Sequence, residues 1–181
     1  MVLSTLQTVG LFVGIVYYLI IMRNSQRTRE LTLQSQELTR KAQEQALETR
    51  QAQLFMYMYD HWSDPEFINH WDEIQRWEWT DYDDFSERYG SEVNPERYIS
   101  FSTIARFFEG VGVLVKRKLV DPTLVDDLMS GNVLRFWEKF GEPMIKIRQV
   151  RTDYPQYYEH VEYLYSVIKP IVESQHPELK T

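Results

Sequence analysis

The chain contains no cysteine. Disulfides and thiolate metal sites are therefore excluded, and a packed core alone must hold the fold. Glycine and proline are sparse, seven of each in 181 residues, and neither occurs between Gly14 and Pro65. That stretch is rich in Gln, Glu, Arg, Leu and Ala, which favours one uninterrupted helix. Strand signals are missing as well. No run alternates apolar and polar residues between hairpin turns, and the most β-prone segment, Val111 to Val115, sits in a helical frame. Phosphate-loop and zinc-ligand spacings are absent, so no familiar catalytic constellation is legible.

Charge is missing at the start. Met1 to Met22 has no charged side chain, and Val9 to Met22 is apolar throughout. Counted with the first eight residues, the run reaches the ~20 residues that cross a hydrocarbon core. A secretory signal would open with a basic region and close at small residues. Here no Lys or Arg precedes the run, which ends Leu19-Ile20-Ile21-Met22-Arg23-Asn24. Residues 1–22 are therefore expected to be an uncleaved transmembrane anchor in contact with the lipid bilayer. Arg23, Arg27 and Arg29 follow the span, and basic flanks stay in the cytoplasm. The expected topology is a single pass in the cell membrane, N-terminus outside and the rest cytoplasmic. Gly10 and Gly14 have the G-x-x-x-G spacing that lets two such helices approach.

Residues 23–53 form the expected neck, a helix continuous with the span. From Arg23 to Tyr59 it would extend ~55 Å. Leu31, Leu38 and Gln45 fall seven apart, with Leu33 and Leu47 off that line. A paired neck wants sustained apolar a and d positions, so a solvated single helix and a loose self-association both remain open.

Residues 54–175 are expected to be a cytoplasmic all-α domain of five to six helices, with a frayed tail over 176–181. Of the chain's aromatics, only Phe12, Tyr17 and Tyr18 precede Leu54, so large side chains crowd where a core must form. Ser63-Asp64-Pro65-Glu66 reads as a capping box opening a helix with Phe67, Trp71, Ile74 and Trp77 on one face. Asp81 to Tyr89 reads as a short acidic helix stopped at Gly90. Asn94-Pro95 opens the longest domain helix, running to about Leu119 with Tyr98, Phe101, Ile104, Phe108, Val111 and Val115 on its apolar face. Asp121-Pro122 opens a short helix ending near Gly131. Val133 to Arg151 is another, which Pro143 is expected to kink or split. After Tyr154-Pro155 comes Gln156 to Ser174, interrupted near Pro170.

Three blocks carry a resemblance. Phe107-Phe108-Glu109-Gly110-Val111-Gly112-Val113-Leu114-Val115-Lys116-Arg117, Arg135-Phe136-Trp137-Glu138-Lys139-Phe140-Gly141 and Glu78 to Phe85 resemble an uncharacterised prokaryotic domain family, often found behind one membrane helix. The resemblance covers roughly Thr49 to Ile171. It implies the architecture above and no activity.

Charge is asymmetric. Arg23 to Gln53 has six Lys/Arg against four Asp/Glu, and the chain from Leu54 has fourteen against twenty-three, a net of −9. Such a domain is repelled by nucleic acid, so no nucleic-acid role is expected. Twelve acids and two arginines fall between Asp60 and Glu96, a solvated face or a landing surface for a basic partner protein. Asp81, Asp83 and Asp84 lack the Gly and terminal Glu of a calcium loop.

Glu109 stands in the most apolar stretch of the domain and needs a partner if buried. Arg106 or Arg135 could supply it as a structural ion pair. Alternatively Glu109, Arg135 and Trp137 could flank a pocket. Gly110 and Gly112 weaken a helix interior, for which close helix packing is the expected compensation. His61, His70, Asp60, Asp64 and Glu73 cluster in sequence, and His70 shares a face with Glu73. Glu173 and His176 have the i, i+3 spacing of a di-iron site, but no second copy accompanies them. No catalytic residue, cofactor or metal is assigned. The leading expectation is a non-enzymatic, membrane-tethered interaction or scaffold module. A small helical enzyme or ligand-binding domain and an accessory subunit of a membrane complex are the alternatives.

Overall fold

In the computed structural model the protein is all-α, and no strand occurs among the described residues, 2–150 and 155–177, with side chains described from Gly10. Six helices follow in order: α1 Val2–Trp62, α2 Pro65–Gln75, α3 Tyr82–Tyr89, α4 Pro95–Lys116, α5 Pro122–Val150 and α6 Glu159–Gln175. The chain divides into two compact units, Met1–Thr49 and Arg50–Thr181.

Among its described residues the first unit is helix alone. As the lack of Gly and Pro requires, α1 has no break. From Gly10 to Arg50 every side chain is exposed. Local ties are of helix-surface type. Lys41 pairs with Glu37 at 2.9 Å and Arg40 with Glu44 at 3.6 Å. The hydroxyls of Thr28, Thr32, Thr39 and Thr49 each donate to the carbonyl four residues earlier. Exposed i,i+4 pairs contribute only about 0.3–0.5 kcal/mol each.

In the second unit the last turns of α1 enter a core through Met58 and the partly buried Leu54 and Trp62. Phe101 and Phe108 of α4 meet Phe136 and Phe140 of α5, with ring centroids 5.1 Å apart for Phe108–Phe136 and 5.4 Å for Phe101–Phe140. Helix α4 packs on α2 and α6, and α6 also packs on α5. The 3.6-residue spacing read on α4 is realised: Phe101, Ile104, Phe108, Val111 and Val115 are buried, and Tyr98 is half-buried. So are Phe67, Trp71, Ile74 and Trp77, the last just beyond α2. Among the described residues, α4 is the helix long and apolar enough to cross a membrane by composition. About half of that stretch is buried within its own domain, as expected of a central core helix.

Local caps explain most helix starts. Asp64 accepts from the amides of Glu66 and Phe67, Asp81 from Asp84 and Asn94 from Arg97. At α2 the cap is therefore Asp64, one residue later than the Ser63-based capping box. Helix α4 ends at Lys116 instead of Leu119. Lys118 adopts a left-handed conformation (φ 57°), with Leu119 N–H donating to Leu114 O and Lys118 N–H to Val115 O. This is a Schellman ending with lysine where glycine is usual.

The split expected at Pro143 and the interruption expected near Pro170 do not occur. Helix α5 is not split at Pro143; it is two helical segments meeting across a kink at Met129 (φ −150°, ψ 19°), close to the boundary expected near Gly131. Pro143 is buried between Phe140, Met144 and Ile147, so core packing on both sides offsets the lost backbone bond. Helix α6 likewise runs through Pro170, with Ile168 and Val172 buried on either side of it. It starts at Glu159, three residues later than expected, after a turn in which Tyr158 is left-handed (φ 59°). Tyr154 and most of the 176–181 tail lie outside the described residues.

Candidate functional site

Polar side chains from three helices converge at the joint where α6 begins. Its first turn lacks a side-chain cap from the residue before it: Tyr158 makes no capping hydrogen bond. Four amides at a helix start need acceptors. Glu109 on α4 supplies one from across the helix interface. Its Oε2 accepts from the amides of His160 at 3.1 Å and Val161 at 3.0 Å, and its Oε1 lies 2.8 Å from His160 Nδ1. A carboxylate at a helix N-terminus also meets the positive end of the helix dipole.

Close approach makes this contact available. A Cβ on Gly112 would stand 2.1 Å from the His160 carbonyl oxygen, so only glycine lets α4 and α6 meet there. Arg148 of α5 holds the preceding turn, donating from Nε to Tyr157 O at 3.0 Å and from Nη2 to Glu162 at 2.8 Å. Lys116 pairs with Glu159 at 3.2 Å, and its ammonium holds the Glu159 carboxyl below the ordinary carboxylate range.

The sequence-based candidates are thus rearranged. Glu109 is part of a structural pair, as one reading expected, but its partner is His160 and not Arg106 or Arg135. Arg135 is exposed. Trp137 lies against Gly141 and meets Tyr165 of α6 at a tilt, with centroids 5.8 Å apart. A groove of about 370 Å³ does open beside Glu109, but its walls are Tyr98, Ser102, Arg106, Tyr157 and Tyr158. Neither Arg135 nor Trp137 lines it. Close packing accounts for Gly112 only; a Cβ on Gly110 would meet nothing within 4 Å.

A second charged cap mirrors the first. Lys139 of α5 donates from Nζ to the carbonyl of Gln75, the last residue of α2. The ammonium lies over the rings of Trp79 and Phe140, 5.6 and 5.7 Å from their centroids. Burial pushes its pKa below the usual lysine value, opposed by the charge of Glu78. Sequence reading missed His160, Arg148 and Lys139. One signal existed for His160: the last helix opens with Tyr157-Tyr158-Glu159, lacking a Ser, Thr, Asp or Asn cap, while an orphan acid waits in an apolar run.

His70 and Glu73, read as sharing a face, meet Ser100 of α4. Ser100 Oγ lies 3.0 Å from His70 Nδ1 and donates to Glu73 Oε2. A nucleophilic relay needs the histidine between serine and acid. Here the serine is central and buried, so the trio ties α2 to α4. His61 stacks instead on Phe107, with centroids 5.3 Å apart. Glu173 pairs with Lys169 at 3.9 Å, and His176 lies beyond the end of α6. Among the described residues no three His, Asp or Glu side chains are grouped to hold a metal ion.

Fold and joint define a helical domain knit by charged caps, preceded by a long exposed helix. A family model described as a domain of unknown function (DUF4760) matches residues 4–166, and the chain belongs to that family. The match takes in nearly all of α1, beyond the Thr49 to Ile171 span of the resemblance read from the sequence blocks. No curated protein and no solved structure matches the chain.

Proposed function

We propose that this protein is a membrane-tethered, non-enzymatic interaction module: residues 1–22 lie in the bilayer and the acidic helical domain is held on the cytoplasmic side. One observation carries the tether. Along α1, Leu11, Phe12, Val13, Ile15, Val16, Leu19, Ile20 and Ile21 are 46–69% exposed around the whole helix circumference. A helix apolar on every side belongs in a protein core or in lipid. Moving side chains of this kind and number out of water is worth on the order of 20 kcal/mol. The helix is continuous from Val2, so about 20 residues at 1.5 Å each give the ~30 Å of a hydrocarbon core. Arg23, Arg27 and Arg29 set the orientation.

The non-enzymatic part is supported by how the domain uses its ionisable groups. Glu109, His160, Arg148, Lys139, His70 and Glu73 each bind another helix or a turn, and such groups are spent on position. In washed membranes at alkaline pH the full chain should stay in the pellet, and a variant lacking residues 1–22 should be released. Protease added outside intact cells should leave the domain uncut. Recovery of the full chain in the wash, or cleavage of the domain from outside, overturns the tether. Cross-linking in native membranes should recover a protein partner, and its absence across growth conditions counts against the interaction role.

A further inference from the structure

Helix α4 carries two glycines, and packing explains one of them. Gly112 is needed where α6 crosses; Gly110 has open space at its Cβ position and no left-handed backbone. Glycine weakens a helix interior, so Gly110 is costly for packing alone. What it does is deepen a groove. This groove encloses about 520 Å³, within the usual range of ligand pockets. One wall is the stripe Thr103, Arg106, Phe107, Gly110, Val111 and Leu114 of α4, and the last turns of α1 contribute Tyr57, Met58 and His61.

The polarity of the α4 wall is sorted along its length. Thr103 and Arg106 stand at one end, Val111 and Leu114 at the other, about 16 Å apart at 1.5 Å per residue. Arg106 is exposed and makes no ion pair among the described residues. Glu109, one turn on, has its carboxylate committed to α6. In a domain of net charge −9 an uncommitted guanidinium at a groove mouth selects for an anion. A partner helix would ask for another pattern, an apolar line running the whole length with polar residues on both flanks.

We propose that this groove binds a linear amphiphile with one anionic head, of the long-chain carboxylate class. The head lies on Arg106 beside the Thr103 hydroxyl, and the tail runs over Gly110 toward Val111 and Leu114. The proposal does not depend on where residues 1–22 reside.

The test is calorimetric titration of the full-length protein, in zwitterionic nanodiscs or in solution as fractionation dictates, with empty discs subtracted. The probes are dodecanoate, dodecyltrimethylammonium and inorganic phosphate. Dodecanoate should bind at one site, at least tenfold more tightly than the cation or phosphate. Gly110→Leu fills the groove and favours the helix, so it should weaken dodecanoate at least tenfold with the urea midpoint unchanged or raised. Arg106→Gln, at an exposed position that no packing depends on, should reduce dodecanoate to the level of the cation. Equal binding of dodecanoate and cation by the natural chain overturns the proposal. So does phosphate binding as tightly as dodecanoate, or undiminished dodecanoate binding by either variant.

Discussion

Residues 10–49 lie in one helix, and the helices described from residue 50 on reach Gln175, yet the two units obtain their helix from different sources. Among the described side chains of the first unit, from Gly10 on, none is buried, and a composition poor in breakers with a few i,i+4 pairs sustains α1. In the second, helices are as short as the eight residues of α3 and two of them carry a proline in their interior, Pro143 and Pro170, yet they hold because each buries a face. Isolated short helices are marginal in water, and tertiary packing makes up the difference. The comparison teaches that propensity governs where nothing packs and is overruled where something does.

The sharpest way to break it is a pair of truncations. Phe136→Ala removes a fully buried ring from the α4–α5 core and should cost about 3–5 kcal/mol. Leu38→Ala removes a side chain that is 68% exposed and should change stability by no more than about 0.5 kcal/mol. Urea unfolding followed by tryptophan fluorescence for the domain, and by circular dichroism for α1, measures both. A cost near that of Phe136→Ala at Leu38 would mean the neck is paired with a second copy, and the comparison would fail.

The same division decides what the sequence makes legible. Asp64, Asp81 and Asn94 cap within three residues of themselves, so their signals are local and readable. The apolar face of α4 is periodic and equally readable. A break at Pro143 or Pro170 follows from a local rule, which loses where buried neighbours such as Phe140 and Met144, or Ile168 and Val172, hold the helix on either side. Glu109 with His160, and Lys139 with Gln75, join residues 51 and 64 positions apart. Nothing at either end of such a pair names the other; only the missing cap before Glu159 hints that one is needed. Gly110 and Gly112 look alike in sequence and differ entirely in surroundings.

The α6 cap gives the next largest effect. Glu109→Ala leaves the His160 and Val161 amides without their acceptor and should destabilise the domain by about 2 kcal/mol. Glu109→Gln keeps an oxygen acceptor but loses the charge, and should cost about half as much. Equal losses would mean that the carboxylate's charge does nothing at the helix start. No loss in either would make the joint incidental. Amide hydrogen exchange should show the effect first in residues 159–165.

Lys139 is the smallest and most discriminating case, a charged side chain of the neck's type used inside the domain. Burial lowers its pKa from the ordinary 10.5, with Glu78 opposing. The folded state therefore binds fewer protons than the unfolded state in the alkaline window just below 10.5, and stability contributed by this group must rise with pH there. Lys139→Met keeps the stem over Trp79 and removes the proton. The natural chain should be more stable than this variant by about 1 kcal/mol or less near neutrality, where the lost bond to Gln75 O is partly offset by relief of the buried charge. That advantage should widen as pH climbs through the window and level off above 10.5. A difference flat with pH would show that the ammonium is as well solvated here as on the neck. A difference that shrinks would show that Gln75 O and the two rings favour the cation more than burial penalises it.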